Sequence, residues 1–458
     1  MIPSVIFGQN IITINIVKYC ISGFRIRLFS PCFFVLFLSQ CLAQENSWQS
    51  LANEANAINR TVSPDKIDYN LEVGPVLLKL KAGLVNGYSS NIGLTGSGGA
   101  GSAYSTPSLT CNLSWPITDL NTLTFGMEGG YSYYWQASES QSPGGVFLQP
   151  TSILKGDFYV SNFKITPSDG FSIQQNPTQA VELSGVSRLS LFQNNLGLLV
   201  TWDAGDFLIT GGASIFTVKS LNSSTNNYLD RNALSPSFSV QYNVTKTLAA
   251  GVNGSAQFNR YQNPAKLVTT VTTTNGQSST STKVQGQNNS DLFQVGPFVN
   301  HQISEYITIG FDLGYLWGTY DKIAQAQQGG YPSTFYLDFQ WSHLLNEYLK
   351  YNITAGRTET PSVSDGVTFF TQWTFGFSPT WNVIDQLSLA TPVSVLIGDQ
   401  SGSNGQKIQS YSASFNLGYQ IMEKLKSTAG FTYLIKDSNQ PNQSYSQWNA
   451  TLGFTYDF

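Results

Sequence analysis

The chain ends in the stretch Trp448-Asn449-Ala450-Thr451-Leu452-Gly453-Phe454-Thr455-Tyr456-Asp457-Phe458. Every second residue from Trp448 onward is apolar, and the residues between them are small or polar. Side chains of a β-strand point alternately to its two faces, so this period of two predicts a strand with one apolar and one polar face. The stretch therefore indicates an all-β fold.

The same alternation recurs upstream, for example in residues 234–242, 307–317 and 411–421. These runs are about ten to fifteen residues long, whereas strands of globular proteins average about half that length. A tilted strand needs about 9–11 residues to cross a bilayer. Charged residues make up only 11 % of the 458 residues, and no comparable helical period follows Pro64. Length and composition together predict a transmembrane β-barrel in an outer membrane.

The connections between these runs alternate between short and long. Short ones include Thr118–Asn121, Asp203–Asp206 and Met422–Lys424, and long polar ones include Ser220–Asn232 and Thr269–Ser290. Outer-membrane barrels have short periplasmic turns and long external loops. We therefore expect an antiparallel up-and-down barrel with its short turns in the periplasm.

The number of strands is predicted from this pattern. About seventeen runs are clear, but a barrel with both ends in the periplasm needs an even number. Residues 151–175 are the expected place of one more strand, with Thr166–Gly170 as its turn. We predict about 18 strands, with 16 as the alternative.

The N-terminal region has the features of an export signal. Lys18, Arg25 and Arg27 precede the apolar run Leu28–Leu38, which is too short to span a bilayer as a helix of about 20 residues. Residues Cys41-Leu42-Ala43 offer a cleavage site, and a lipidated Cys41 is the alternative.

Three segments follow from these patterns. Residues 1–43 are predicted to be a signal peptide, and residues 69–458 the transmembrane barrel. Residues 44–68 would form an extension in the periplasm or inside the lumen.

The polar faces of the strands would line the lumen. They carry few charges, and those predicted to line the pore are Lys79, Lys81, Asp312, Asp338 and Lys350. Because barrels of 16 to 18 strands leave an aqueous channel, we expect passive diffusion of small hydrophilic solutes. A net charge of −4 gives no sign of nucleic-acid binding. The expected partners are therefore lipid on the apolar face and solutes in the lumen, with a homo-oligomer left open.

Motifs of chemistry are weak in this chain. Gly96, Gly98 and Gly101 match G-x-G-x-x-G, but the following residues predict a strand instead of a phosphate-binding helix. His301 and His343 lie beside short turns, far from where a barrel enzyme would place its site. No CxxC pair is present. We therefore expect no enzyme activity, no cofactor and no metal.

The final aromatic residues resemble a known signature. Tyr456 and Phe458 end an alternating strand, as in outer-membrane barrels that are read by the barrel-assembly machinery. The resemblance implies that this machinery is a partner.

A wider resemblance rests on three short stretches. Val76–Ile92, Ser114–Ile117 with Leu120–Leu123, and Phe171–Pro177 are similar to sequences in the outer-membrane porins of beta-barrel porin family 2. Where that family often has Tyr-x-Asp-Asn, this chain has Ser90 in place of the Asp. The resemblance implies a β-barrel, and some members of the family are associated with exopolysaccharide export.

Two alternative functions stay open at this point. One is a structural or surface-interaction barrel with a plugged lumen. The other is an exopolysaccharide-export barrel that works with periplasmic partners. A plug domain of a TonB-dependent transporter would not fit into the roughly 25 residues before the barrel.

Overall fold

The computed structural model describes residues 68–458, except 97–98, 137–143, 176–180, 186–189, 222–228, 275–276, 322–332, 365–366 and 402–404. The predicted signal peptide and almost all of the predicted extension lie outside these residues. Within the described ranges, no helix is both long and apolar enough to cross a bilayer.

The described part of the chain forms eighteen barrel strands, of which β4 and β15 are each interrupted once. They are β1 (Val76–Ser89), β2 (Ser102–Pro116), β3 (Thr122–Tyr134), β4 (Gly145–Leu148 with Ile153–Val160), β5 (Phe163–Gln174), β6 (Leu191–Asp203), β7 (Phe207–Ser220), β8 (Arg231–Asn243), β9 (Leu248–Tyr261), β10 (Ser290–Gln302), β11 (Ile307–Tyr320), β12 (Ser333–Leu344), β13 (Leu349–Pro361), β14 (Phe369–Ile384), β15 (Leu387–Ala390 with Val393–Gln400), β16 (Lys407–Met422), β17 (Leu425–Ser438) and β18 (Tyr445–Asp457).

The sheet closes on itself. Each strand pairs antiparallel with its neighbours in the chain, and β18 pairs antiparallel with β1, from Lys81↔Asp457 to Ser89↔Asn449. Closure leaves no unpaired edge, which is the condition for a sheet to cross a membrane. The predicted fold, an antiparallel up-and-down barrel of about 18 strands, is confirmed.

Connection lengths follow the predicted asymmetry. The connection between β4 and β5 has only Ser161 and Asn162, whereas residues 262–289 join β9 and β10. This long connection, predicted to be a polar loop, contains a hairpin of Lys266–Thr274 and Gln277–Gln285 in continuous register. Its many Thr and Val residues favour strands, so polarity alone misled the prediction here.

The additional strand is present, but the predicted turn is wrong. The chain turns at Ser161, whose φ of +53° is left-handed, and Thr166–Gly170 lies inside β5. Pro167 has no backbone N–H, and the recorded register with β4 is interrupted between Lys155↔Ser168 and Phe158↔Ile165. Pairing along both edges of β5 thus overrides the local turn preference of Thr-Pro-Ser-Asp-Gly.

The outer wall is apolar and edged with aromatic side chains. In β18, Trp448, Leu452, Phe454 and Tyr456 are all exposed on one face. The aromatic residues Trp115, Trp202 and Trp381, which lie beside short turns, are exposed as well. Such a wall suits lipid, with Trp and Tyr at the level of the headgroups.

One aromatic residue at the end of β3 differs from its neighbours. Tyr133 and Trp135 are exposed on the outer wall, but Tyr134 is only partly exposed and its ring lies 5.1 Å from that of Tyr104. Strand alternation places Tyr134 on the lumen side.

Candidate functional site: the lumen and its extracellular cap

All five residues predicted to line the pore lie at inward positions of the strand alternation. Lys79 and Lys81 are on β1, Asp312 is on β11, Asp338 is on β12 and Lys350 is on β13. The structure pairs Asp312 with Asp338, but it does not bring all five residues together, because β1 and β11 lie on opposite sides of the strand order. Their role in conduction stays a prediction.

The lysines of β1 face an acidic partner on the closing strand. Lys81 Nζ lies 3.2 Å from Asp457 Oδ1, and Lys79 Nζ lies 3.8 Å from Asp457 Oδ2. Lys79 also contacts the carboxylate of Asp68. The sequence analysis placed Asp457 on the polar face but missed its pairing, because 376 residues separate it from Lys81. The charges of this wall thus balance one another.

A second charged group lies on β4 and β5. Asp157 is 3.0 Å from Lys164 Nζ and 4.0 Å from Lys155 Nζ, and it accepts a hydrogen bond of 2.9 Å from the Thr166 hydroxyl. This carboxylate, too, has its charge matched by neighbours.

On the opposite wall, Asp312 belongs to a hydrogen-bonded group. Asn253 Nδ2 donates to Asp312 Oδ2 over 2.6 Å, and the Tyr336 hydroxyl donates to Asn253 Oδ1 over 3.0 Å. Asp338 pairs directly with Asp312 in the register of β11 and β12. Gly314 leaves room for this group, because a Cβ there would come within 2.4 Å of the Tyr336 ring.

The extracellular mouth contains a feature that the sequence analysis missed. In the connection between β5 and β6, the Glu182 carboxylate accepts hydrogen bonds from Ser362 Oγ (2.5 Å), Val363 N (3.1 Å) and Gln400 Nε2 (2.8 Å). These donors lie just after β13 and at the end of β15, about half the strand order away from β5. Residues 181–185 of this connection therefore lie across the mouth of the barrel.

A buried lysine holds the same segment. Lys436 on β17 is fully buried, and its ammonium donates to Glu182 O (3.2 Å), Leu183 O (3.3 Å) and Ser184 Oγ (2.7 Å). Ser184 Oγ in turn donates to Gln443 O over 2.8 Å. Residues 181–185, together with residues 361–364 that bind them, are called the cap below.

Burial controls the ionisation of the cap carboxylate. Burial raises the pKa of Glu182 above its ordinary value. The hydrogen bonds from Ser362, Val363 and Gln400 and the nearby charge of Lys436 oppose this effect without cancelling it. The buried carboxyl group therefore takes up a proton more readily than an exposed one.

Apolar packing closes the cap from below. Leu183 and Val363 of the cap pack with three buried side chains of the wall and a loop, namely Leu191, Val218 and Leu229. An apolar cluster at the mouth of a polar lumen excludes water there. The signal in the sequence was the presence of apolar residues such as Leu183 and Val363 in these connections.

Across the described ranges, no group of three or more His, Cys, Asp or Glu side chains could hold a metal ion. His343 Nδ1 lies 2.8 Å from the Tyr351 hydroxyl near a short turn, away from the cap.

A closed antiparallel barrel with an apolar outer wall, a polar lumen and one end with long connections has the architecture of outer-membrane β-barrels. No protein-family model matches the chain, and no curated protein matches it.

Among solved structures, the chain is similar to OccK2 (OpdF) of Pseudomonas aeruginosa in complex with glucuronate. The two are 12 % identical, the TM-score is 0.47, and the match covers 84 % of this chain and 98 % of that one. A BenF-like porin from Pseudomonas fluorescens Pf-5 is 10 % identical, with a TM-score of 0.46 and coverage of 84 % and 100 %. OccK5 (OpdH) of Pseudomonas aeruginosa is 14 % identical, with a TM-score of 0.45 and coverage of 83 % and 98 %.

Proposed function

We propose that the protein is a porin-like channel through which small hydrophilic solutes diffuse passively, and that the cap forms its narrowest part. The observation that carries the proposal is the closed barrel of eighteen strands with a polar inner face. Barrels of 16 to 18 strands enclose a water-filled channel. Lysines and carboxylates occur together around Asp457 and Asp157, which supports weak ion selectivity, since neither wall presents a ladder of one sign.

Single-channel recording in planar bilayers tests this function. The folded barrel should give discrete conductance steps, and Lys436→Met should raise the conductance, because the cap loses three hydrogen bonds. Lys407→Met, which removes an exposed lysine at the same end of the barrel, is the matched control and should leave the conductance unchanged. A folded wild-type barrel without steps would defeat the channel proposal.

The cap favours a second candidate, a surface-interaction barrel whose lumen is closed. It rests on the apolar cluster around Leu183 and on the hydrogen bonds that join Glu182 to two distant strand ends. The same recordings separate the two, since a closed barrel would stay silent in the wild type and in Lys436→Met.

The predicted assembly signal is part of the proposal. Phe458 N donates to Leu80 O over 3.2 Å, which fixes the last residue at the closing seam, and its ring contacts that of Tyr456 edge-on at 5.5 Å. Both rings are exposed on the outer wall. Phe458→Ala should therefore reduce the amount of folded barrel in membranes, whereas the exposed Leu452→Ala should reduce it less.

The remaining segments are proposed as the sequence predicted them. Residues 1–43 would be removed on export, and residues 44–68 would stay as an extension. N-terminal sequencing of the exported protein tests this, and a mature protein that still contains residues before 43 would contradict it.

A further inference from the structure

Five inward polar side chains on two neighbouring strands keep an atom without a hydrogen-bond partner. The atoms are the hydroxyls of Ser235 and Ser239 on β8, and Ser255 Oγ, Gln257 Nε2 and Asn259 Oδ1 on β9, none of which has a partner among the described residues. We call these five residues the polar strip.

The register makes the polar strip continuous. Ser239 pairs with Asn253 and Ser237 with Ser255 in antiparallel register, so Ser239, Ser255, Gln257 and Asn259 follow one another up the same wall. The strip ends directly below the cap, where Arg231 and Tyr261 form the next pair. All of its members share the inward face, on which residues alternate with lipid-facing ones.

Such atoms are unusual in folded proteins. Ser239, Gln257 and Asn259 are each at most 1 % exposed. More than about 90 % of buried polar groups in native structures have a partner, and leaving one unpaired costs about 1–3 kcal/mol. Ser235 and Ser255 are partly buried as whole residues, but their hydroxyl oxygens are buried like the other atoms of the strip. The five atoms of the strip could therefore form further hydrogen bonds, and they lie along a wall that solutes would pass.

The polar strip contains both hydrogen-bond donors and hydrogen-bond acceptors, and this combination indicates the class of ligand that it could bind. The three serine hydroxyls both donate and accept, the Gln257 amide nitrogen donates and the Asn259 amide oxygen accepts. A carboxylate can only accept and an ammonium can only donate, whereas a hydroxyl group does both. A ligand with several hydroxyl groups therefore fits all five positions.

Two charged side chains, Arg231 and Asp312, lie near the strip, and each makes a hydrogen bond, although Asp312 Oδ1 has no partner among the described residues. Arg231 Nη1 donates to the Tyr261 hydroxyl over 3.3 Å, and the guanidinium lies over the rings of Phe216 and Tyr261. Asp312 Oδ2 accepts from Asn253. The strip itself carries no ionisable side chain, so it offers no charge to attract a charged solute.

We propose that the polar strip binds neutral polyhydroxylated solutes, such as monosaccharides and polyols, on their way through the lumen. The inference rests on the proposed channel function and names the class of solute that this wall selects.

Liposome swelling with solutes of equal size tests the proposal. A pentose and triethylene glycol have nearly the same molecular mass, but only the pentose carries a donor and an acceptor on almost every carbon. Wild-type protein should pass the pentose about three- to tenfold faster, the equivalent of roughly one hydrogen bond. The triple variant Ser239→Ala/Ser255→Ala/Gln257→Leu should lose this preference.

A matched variant controls for changes elsewhere in the lumen. Ser412→Ala/Ser414→Ala removes two inward hydroxyls from β16, on the other side of the barrel, and should keep the wild-type preference. Heat-modifiable migration on gels confirms that each variant is folded. Equal pentose preference in the wild type and the triple variant would overturn the proposal.

A binding measurement separates this inference from the channel proposal. If no solute causes swelling, the channel function fails, and calorimetric titration of the pentose into detergent-solubilised barrel then decides on the strip. Heat of binding that disappears in the triple variant would uphold the strip, and no heat in the wild type would reject it.

Discussion

The cap and the polar strip lie next to each other inside the barrel, yet they treat buried polar groups in opposite ways. In the cap, Glu182 accepts three hydrogen bonds and Lys436 donates three. In the strip, five uncharged atoms have no partner among the described residues.

The difference has an energetic meaning. A buried charge without partners is too costly to keep, so the cap must pair its charges to exist at all. An unpaired hydroxyl or amide costs much less, and a protein tolerates it where a ligand will satisfy it. The hydrogen-bonded groups of the cap thus stabilise the mouth of the barrel. The groups of the polar strip without partners leave hydrogen-bonding atoms for a solute.

The largest effect should come from the lysine of the cap. Lys436→Met removes three hydrogen bonds and leaves the buried Glu182 without its nearest opposite charge, which should lower the free energy of unfolding by about 3–5 kcal/mol. Urea unfolding in lipid vesicles measures this. Lys407→Met, an exposed lysine, is the control and should change stability by less than about 0.5 kcal/mol. Similar losses in both variants would show that the cap is not a distinct paired region.

A smaller effect should follow from the proton on Glu182. Its pKa is raised in the folded protein, so the folded state binds more protons than the unfolded state between the two pKa values. The contribution of Glu182 to stability is therefore greatest below the unfolded pKa and is lost as the pH rises through the folded pKa. The charged or titratable side chains that act on Glu182 here are Lys436, whose charge opposes the rise of the Glu182 pKa, and Tyr261.

Glu182→Gln isolates this contribution, because the amide keeps one acceptor oxygen but cannot titrate. The stability difference between wild type and Glu182→Gln should shift against the wild type as the pH rises from acid to neutral. If the cap closes the channel, wild-type conductance should rise over the same interval, and that of Glu182→Gln should not. A constant stability difference across the interval would contradict the raised pKa.

The charged wall allows an intermediate test of the same comparison. Asp457→Asn removes the partner of Lys81 and Lys79, but these groups are partly exposed, so solvent screens the interaction. The expected loss of stability is about 0.5–1 kcal/mol and should shrink at high salt. A loss as large as that of Lys436→Met would mean that position in the lumen, not burial of the charge, decides the energy.

Features that repeat along the chain could be predicted from the sequence. Contacts between residues that are distant in the chain could not. The alternation in β18 and the short turns defined the barrel, its strand number and its outer wall, because each depends on neighbouring residues. The prediction of a turn at Thr166–Gly170 was wrong because both edges of β5 pair with neighbouring strands. The cap was invisible because Glu182 and Lys436 are 254 residues apart. The polar strip was hidden for a different reason: serines that are paired and serines that are not look the same in a sequence.

That last distinction gives the most specific prediction. Ser414 on β16 and Ser239 on β8 both point into the lumen, but Ser414 Oγ lies 2.9 Å from Thr432 Oγ1, whereas Ser239 Oγ has no partner within the described part of the chain. Ser414→Ala should cost about 0.5–1.5 kcal/mol, the value of a hydrogen bond. Ser239→Ala should cost nothing or add stability, because it removes an unsatisfied buried group. Urea midpoints in the same vesicles compare the two alanine variants directly. If Ser239→Ala destabilised the barrel as much as Ser414→Ala, Ser239 would have a structural partner, and the contrast between a paired cap and an unpaired strip would fail.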